Sequence, residues 1–338
     1  MAGASSRDRA AWTPSPEQAA VWPEVSGNAI NGLGEAVFAQ PRPVFWRDDG
    51  HSIRHTGVLR FFYDRYRRNA RIREARKYRE RTAGLADSPL AATPAPVPQH
   101  GWTAAAKRAA LDAGADDAGV CAYSDSWTYA DRPRPSGRWT VVMAFAHEYE
   151  RLNTAPDEDA YIEIMAQYGR AGMAAKRLAN WIRERGYPAE PKTGPMTEDV
   201  LMIPAAIEAG LGELGKHGSM IHRRFGSNFR LSMVTTDLPL TPDAPDVFGA
   251  DLFCQSCQVC TRACPPDAIA REKQVVRGTR KWYVDFDKCL PYFVENETCG
   301  ICLAVCPWSR PGVADNLLAK MARRLPPGRE PGAVERSG

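Results

Sequence analysis

Eight of the nine cysteines in this 338-residue chain fall in its last quarter, as Cys254-x2-Cys257-x2-Cys260-x3-Cys264-Pro265 and then Cys289-x9-Cys299-x2-Cys302-x3-Cys306-Pro307. Three thiolates from one tight turn can wrap a cubane iron–sulfur cluster, while the cysteine before proline is aimed away and reaches the other cluster. The ligands are therefore expected to cross over. Cluster I takes Cys254, Cys257, Cys260 and Cys306, and cluster II takes Cys289, Cys299, Cys302 and Cys264. The rival is a pair of structural zinc sites, but zinc ribbons pair C-x2-C knuckles and need neither a third cysteine nor a Cys-Pro in each half. The nine-residue gap after Cys289 reads as a loop over cluster II, free to face a second domain. Cys121 has no partner left for a disulfide and reads as a small core residue.

Two clusters need only about sixty residues, so about 250 residues upstream must do something else. Clusters that hold electrons one at a time serve a neighbouring redox centre, whereas a bare electron carrier would have no evident use for so much extra chain. With 44% hydrophobic and 25% charged residues the chain reads as globular. Its net charge of +4 is too small to imply a nucleic-acid partner. No apolar run reaches the length of a membrane span, and the first ten residues carry arginines without an apolar core behind them, so the expected location is the cytoplasm.

The elements that must position this chemistry can be read along the chain. Residues 1–50 look like an irregular strap, 59–81 like one basic helix with Phe61, Phe62 and Tyr66 docked on the core, and 84–99 like an extended proline-rich linker. A main domain then opens with a helix over 103–113 and apolar strands over 118–123 and 139–146. A long helix over 159–185 carries Tyr161, Ile164, Met165 and Tyr168 on its apolar stripe. A second helix, 200–209, runs into a stretch with glycines at 210, 212, 215 and 218, and a strand over 229–236 contains Arg230, a lone charge. Glycines this dense leave backbone groups open to a large polar ligand, which makes Gly212, Gly215, Lys216, His217, Gly218, Ser219 and Met220 candidate cofactor contacts. The stretch is neither a Walker loop nor a dinucleotide fingerprint, because the lysine lacks its following Ser or Thr and no strand leads in. The expected class is α/β (α+β), with an N-terminal region at 1–100, a main domain at 101–245, a ferredoxin-like module at 246–315 and a tail at 316–338.

The order of these features, from Tyr161 to Tyr187-Pro-Ala189, then Ile203-Pro-Ala-Ala-Ile-Glu-Ala-Gly-Leu-Gly-Glu-Leu-Gly215, Phe225-Gly226, Arg230, Val234-Thr-Thr-Asp-Leu-Pro-Leu240 and the two cysteine runs, resembles the cobalamin-dependent reductive dehalogenases and their relatives, the epoxyqueuosine reductases. The resemblance covers roughly 101–310. It implies a nitroreductase-like cobalamin domain joined to a two-[4Fe–4S] domain, with the corrinoid held base-off and fed by the nearer cluster. It also implies that Tyr168 hands a proton to the product, with Arg230 as the cation that steadies the phenolate. A phenol is a useful proton source near neutrality only beside such a cation. The expected substrate is a small organohalide, and an external ferredoxin, flavodoxin or reductase supplies electrons. The pair Thr197-Glu198 replaces an Asn-Asp often found in the dehalogenases, while Met173 stands where the epoxyqueuosine branch has an acid. The alternatives are therefore a tRNA-modifying enzyme of that branch and a two-cluster electron carrier.

Overall fold

A computed structural model describes residues 12–45, 53–194, 199–296 and 298–325, so Thr197 and Glu198 lie outside the described residues. The N-terminal strap carries two single turns, α1 (Pro16–Ala19) and α2 (Gly27–Ile30), each capped by a serine hydroxyl. Two longer helices follow, α3 (Thr56–Tyr66) and α4 (Ala70–Glu80), where the sequence suggested one. Asn69 makes the break: its Oδ1 accepts from the N–H groups of Arg71 (2.9 Å) and Ile72 (3.2 Å), which starts a new helix. Phe62 is buried and Phe61 partly so; the side chain of Tyr66 lies outside the described residues.

The main domain is built on four strands in the order β1-β2-β6-β3, namely β1 (Asp117–Ala122), β2 (Trp139–Ala146), β3 (Ala189–Lys192) and β6 (Phe229–Thr236). Every pair is antiparallel, so the mixed class is of the α+β kind. The apolar run of β2 serves both faces because successive side chains alternate. Val141, Met143 and Phe145 pack under α5 (Thr103–Asp112) and the C-terminal half of α7 (Glu158–Arg183), beyond the short α6 (Tyr149–Leu152). Val142 and Ala144 face α8 (Met202–Glu208) together with Cys121, whose thiol donates to the carbonyl of Ala205 at 3.3 Å. The N-terminal half of α7 packs instead with α4, and Tyr161, Ile164 and Met165 share one cluster with Ile72 of α4 and with Leu59 and Phe62 of α3.

Residues 84–99 run extended, as their composition predicts, but they are tied down. Ala91 and Ala95 donate to the carbonyls of Arg183 and Arg185, and Lys176 donates to that of Leu85, which fixes the segment along the end of α7.

The cysteine-rich module contains α9 (Ala250–Ser256), α10 (Val259–Ala263), the hairpin β7 (Gln274–Val276) and β8 (Thr279–Lys281), α11 (Phe286–Glu295), α12 (Ile301–Ala304) and α13 (Ala314–Ala322). The first six residues of the gap after Cys289, 290–295, continue a helix instead of forming the expected loop. Asp285 caps it, and Leu290 and Val294 form its buried stripe, despite Pro291 and the helical hydrogen bond that proline cannot donate. This helix packs on the N-terminal region and on α7: Phe293 of α11 stacks on Phe62 of α3 at 6.0 Å between ring centroids, and Leu290 and Val294 share a cluster with Tyr161 and Ile164. The strap binds here too, Asp287 accepting from Ser26 Oγ and the Gly27 N–H, and Gln18 donating to the carbonyl of Pro291.

Candidate functional site

The cysteines come together in the two crossed groups. Burial pushes the Cys254 thiol up, the Lys216 N–H opposes this at 3.5 Å from the sulfur, and the thiols of Cys306, Cys260 and Cys257 add to it. Burial raises Cys289 to about 12, with Cys264 and Cys299 as its neighbours, and raises Cys302 beside Cys299, Cys289, Cys260 and Cys264. As free thiols these groups stay protonated at neutrality; iron must displace the protons. Among the described residues no three of His, Cys, Asp and Glu converge on the position of a single metal ion. A cubane, being wider than an ion, keeps its thiolates further apart.

One cavity of about 1740 Å³ joins the second group to the main domain. Its lining includes Cys264, Cys289, Cys299 and Cys302 together with Tyr168 and Arg230. It exceeds the roughly 300–1,000 Å³ of a drug-sized site. Tyr161, Ile164, Met165 and Tyr168 reach it from a single face of α7, at the spacing that stacks side chains on one side of a helix. Arg230 enters from β6, paired with Phe145 of β2, and its guanidinium carbon lies 4.9 Å from the centroid of the Tyr168 ring. The cation thus rests on the ring face, and among the described residues Arg230 Nε has no hydrogen-bond partner.

The glycine-rich stretch is a hairpin, β4 (Glu213–Leu214) and β5 (Met220–Ile221), and its glycines serve mainly to let chain pack on chain. A Cβ on Gly212, at φ +145°, would stand 2.1 Å from the carbonyl oxygen of Ile221, and one on Gly215 would stand 2.6 Å from the His217 ring. Of the predicted contacts, Gly212, His217, Gly218 and Ser219 line the cavity. Gly215, Lys216 and Met220 do not. Met220 points into the sheet core, and Lys216 is buried with its ammonium on the carbonyl of Arg271 (3.0 Å) and 4.8 Å from the Trp282 ring centroid. The hairpin is anchored by Glu213, whose carboxylate accepts from the N–H groups of Phe248 and Ala250 at the start of α9.

His217 fits a polar ligand in the cavity. Burial lowers it to about 4, so the ring is neutral, and Nδ1 accepts from the Ser219 N–H at 3.2 Å. That bond places the ring proton on Nε2, which has no partner among the described residues. A buried donor without an acceptor is what a cofactor edged with amide carbonyls would satisfy. Sequence reasoning missed Arg76, Arg277 and Lys281, which also line the cavity. Their charges had no local pattern that would bring α4 and the β7–β8 hairpin to one cavity.

Behind Arg230 lies a buried pair, His147 on Glu163 at 3.4 Å. Burial lowers His147 to about 4 against the pull of Glu163. Between pH 6.5 and 4 the unfolded chain binds a proton at this histidine that the folded chain refuses, so stability falls as pH drops through that window. The expected result is an acid loss of Tm between those pH values that is smaller in His147→Gln, with an unchanged loss in the variant as the contrary result.

The comparisons bear on both halves of this cavity. Residues 253–309 match the model of a 4Fe-4S dicluster domain. The tetrachloroethene reductive dehalogenase of Desulfitobacterium hafniense is 29% identical over 282 residues, covering 65% of this chain and 50% of that protein. That of Sulfurospirillum multivorans is 36% identical over 179 residues, covering 50% of this chain and 35% of that protein. The chain is a homologue of the reductive dehalogenases. Its fold is theirs as well: a solved catabolic reductive dehalogenase covers 91% of this chain and 47% of its own length at a TM-score of 0.68 and 22% identity. The dehalogenase homology extends to an epoxyqueuosine reductase of Leadbetterella byssophila, 34% identical over 121 residues that make up 31% of this chain and 35% of that enzyme. The chain spans about half the length of the first of these dehalogenases. Among the described residues no helix is long and apolar enough to cross a membrane.

Proposed function

We propose that this homologue is a corrinoid- and iron–sulfur-dependent reductase of the cytoplasm, which removes halogen from a small organohalide with electrons from an external ferredoxin, flavodoxin or reductase. The observation that carries the reading is that one cavity is lined both by Tyr168 and Arg230 and by Cys264, Cys289, Cys299 and Cys302. A solved structure of the same fold is described by its B12-dependent dehalogenation. When bound, a corrinoid supplies a low-potential metal able to cleave a carbon–halogen bond.

The reaction exchanges carbon–halogen for carbon–hydrogen, taking up two electrons and one proton and releasing halide. Cys254, Cys257, Cys260 and Cys306 would hold an outer cluster and the four cavity-side cysteines an inner one, which would supply electrons to the cavity from the α11–α12 side. His217 donates from Nε2 to the cofactor's polar edge. The aromatic wall of Tyr161, Phe62 and Phe293 excludes water from the substrate. The Tyr168 hydroxyl gives its proton to carbon, and the guanidinium of Arg230 offsets the negative charge left on the ring. Protein reconstituted with iron, sulfide and cobalamin should release halide from an aryl or vinyl halide under strong reductant. Iron and sulfide incorporation with no corrinoid uptake would mean an electron carrier instead.

A further inference from the structure

Two neighbouring cations share part of the cavity lining. Arg277 occupies the turn of the β7–β8 hairpin, at φ +49°, and Lys281 ends β8; both line the cavity. Among the described residues neither side chain has a hydrogen-bond or ion-pair partner, whereas Lys273, just ahead of the same hairpin, is paired with Asp251 at 2.8 Å. Glu35, itself exposed, and the hydroxyl-bearing Tyr129 and Tyr283 act on Arg277 electrostatically, without an ion pair or hydrogen bond to it. The Glu35 carboxylate and the stem of Arg277 both lie beside Gly32. Burial, with the charge of Arg277 adding to it, lowers Lys281 to about 8. Half-buried like charges oppose one another, and holding them together costs stability unless an anion joins them.

This part of the lining is polar and organised. The Tyr283 hydroxyl donates to Asn28 Oδ1 at 2.9 Å and accepts from Asn31 Nδ2 at 3.1 Å, and Tyr283 and Asn31 both line the cavity. The strap closes over it, with the Gly34 N–H on the carbonyl of Val275 and the Gly278 N–H on that of Glu35. A planar guanidinium fork beside a compact ammonium suits a phosphate, whose oxygens take both at once. Cobalamin carries one such group, the phosphodiester of its nucleotide tail, which must find its own place when the base is detached from the metal.

We propose that Arg277 and Lys281 bind the phosphodiester of the corrinoid's nucleotide tail, a site that rests on the corrinoid reading above. The test compares cobalamin with cobinamide, which lacks the phosphate and the nucleotide, by equilibrium binding to anaerobically prepared, cluster-loaded protein. The wild-type chain should bind cobalamin about tenfold or more tighter than cobinamide, the worth of one charge-assisted contact. In the Arg277→Met/Lys281→Met double variant cobinamide binding should persist and the preference should vanish. A double variant that keeps the wild-type preference overturns the proposal, as does a wild-type chain without one. Should the variant keep its corrinoid preference but lose affinity for a chlorinated benzoate relative to a chloroethene, the anion belongs to the substrate and the proposal is wrong. Failure of wild type to bind either corrinoid overturns the corrinoid reading itself.

Discussion

Tyr168→Phe should abolish halide release while leaving cobalamin uptake and the cluster spectrum unchanged. A positioned general acid is worth about 10²–10⁴-fold, and the phenylalanine ring keeps the face on which Arg230 rests, 4.9 Å from centroid to guanidinium carbon. The variant therefore removes one oxygen and little packing. Single-turnover measurement separates the steps: electrons should still reach the cavity, and the fall should appear in product formation. Retention of full turnover would remove Tyr168 from the chemistry and leave it as one more aromatic on the α7 stripe. Arg230→Met should cost less than the tyrosine change, since it leaves the proton donor in place and removes only the charge that offsets the phenolate.

The crossed cysteine groups give the second large effect. Cys264 follows the first run in sequence, yet its neighbours are Cys289, Cys299 and Cys302, on the cavity side. Cys306 closes the second run and stands with Cys254, Cys257 and Cys260. Cys264→Ser should therefore perturb the inner cluster and stop turnover. Cys306→Ser should perturb the outer cluster, buried against Phe248 and Trp308. Paramagnetic resonance of the reduced variants distinguishes the two, because each substitution should alter a different one of two signals. Identical spectra from both variants would break the assignment.

Much of this site was legible because its chemistry is local. Cysteine spacing reports a turn that wraps a cluster, and the apolar runs Trp139–Ala146 and Phe229–Thr236 coincide with β2 and β6 because an apolar strand must be covered on both faces. The family resemblance singled out Tyr168 and Arg230, and the structure brings them into contact, although on the ring face and not at the hydroxyl. The readings that failed depended on competition between segments. Asn69 divides the basic helix because its side chain caps better than it propagates. The first six residues of the gap after Cys289 fold as a helix because α3 offers their stripe an apolar partner in Phe62. The glycines at 212 and 215 read in sequence as backbone left open to a ligand, but the atoms that approach them are the Ile221 carbonyl and the His217 ring, within the chain itself. Lys216 looked like a ligand contact in a glycine-rich stretch and is instead drawn to the Arg271 carbonyl and the Trp282 face. Arg277 and Lys281 could not be seen at all, since nothing in a short hairpin says which cavity it will face.

The central claim is that the cavity lined by Tyr168 and the inner cysteine group holds a corrinoid next to a cluster. Titrating anaerobic, cluster-loaded protein with cob(II)alamin and following the cobalt resonance tests it most directly. The account predicts saturation at one equivalent per chain, a base-off signal without nitrogen splitting because the His217 lone pair is engaged by the Ser219 N–H, and loss of that signal when the clusters are reduced. A cobalt signal that stays that of free cobalamin at every ratio, with the clusters intact, would contradict it.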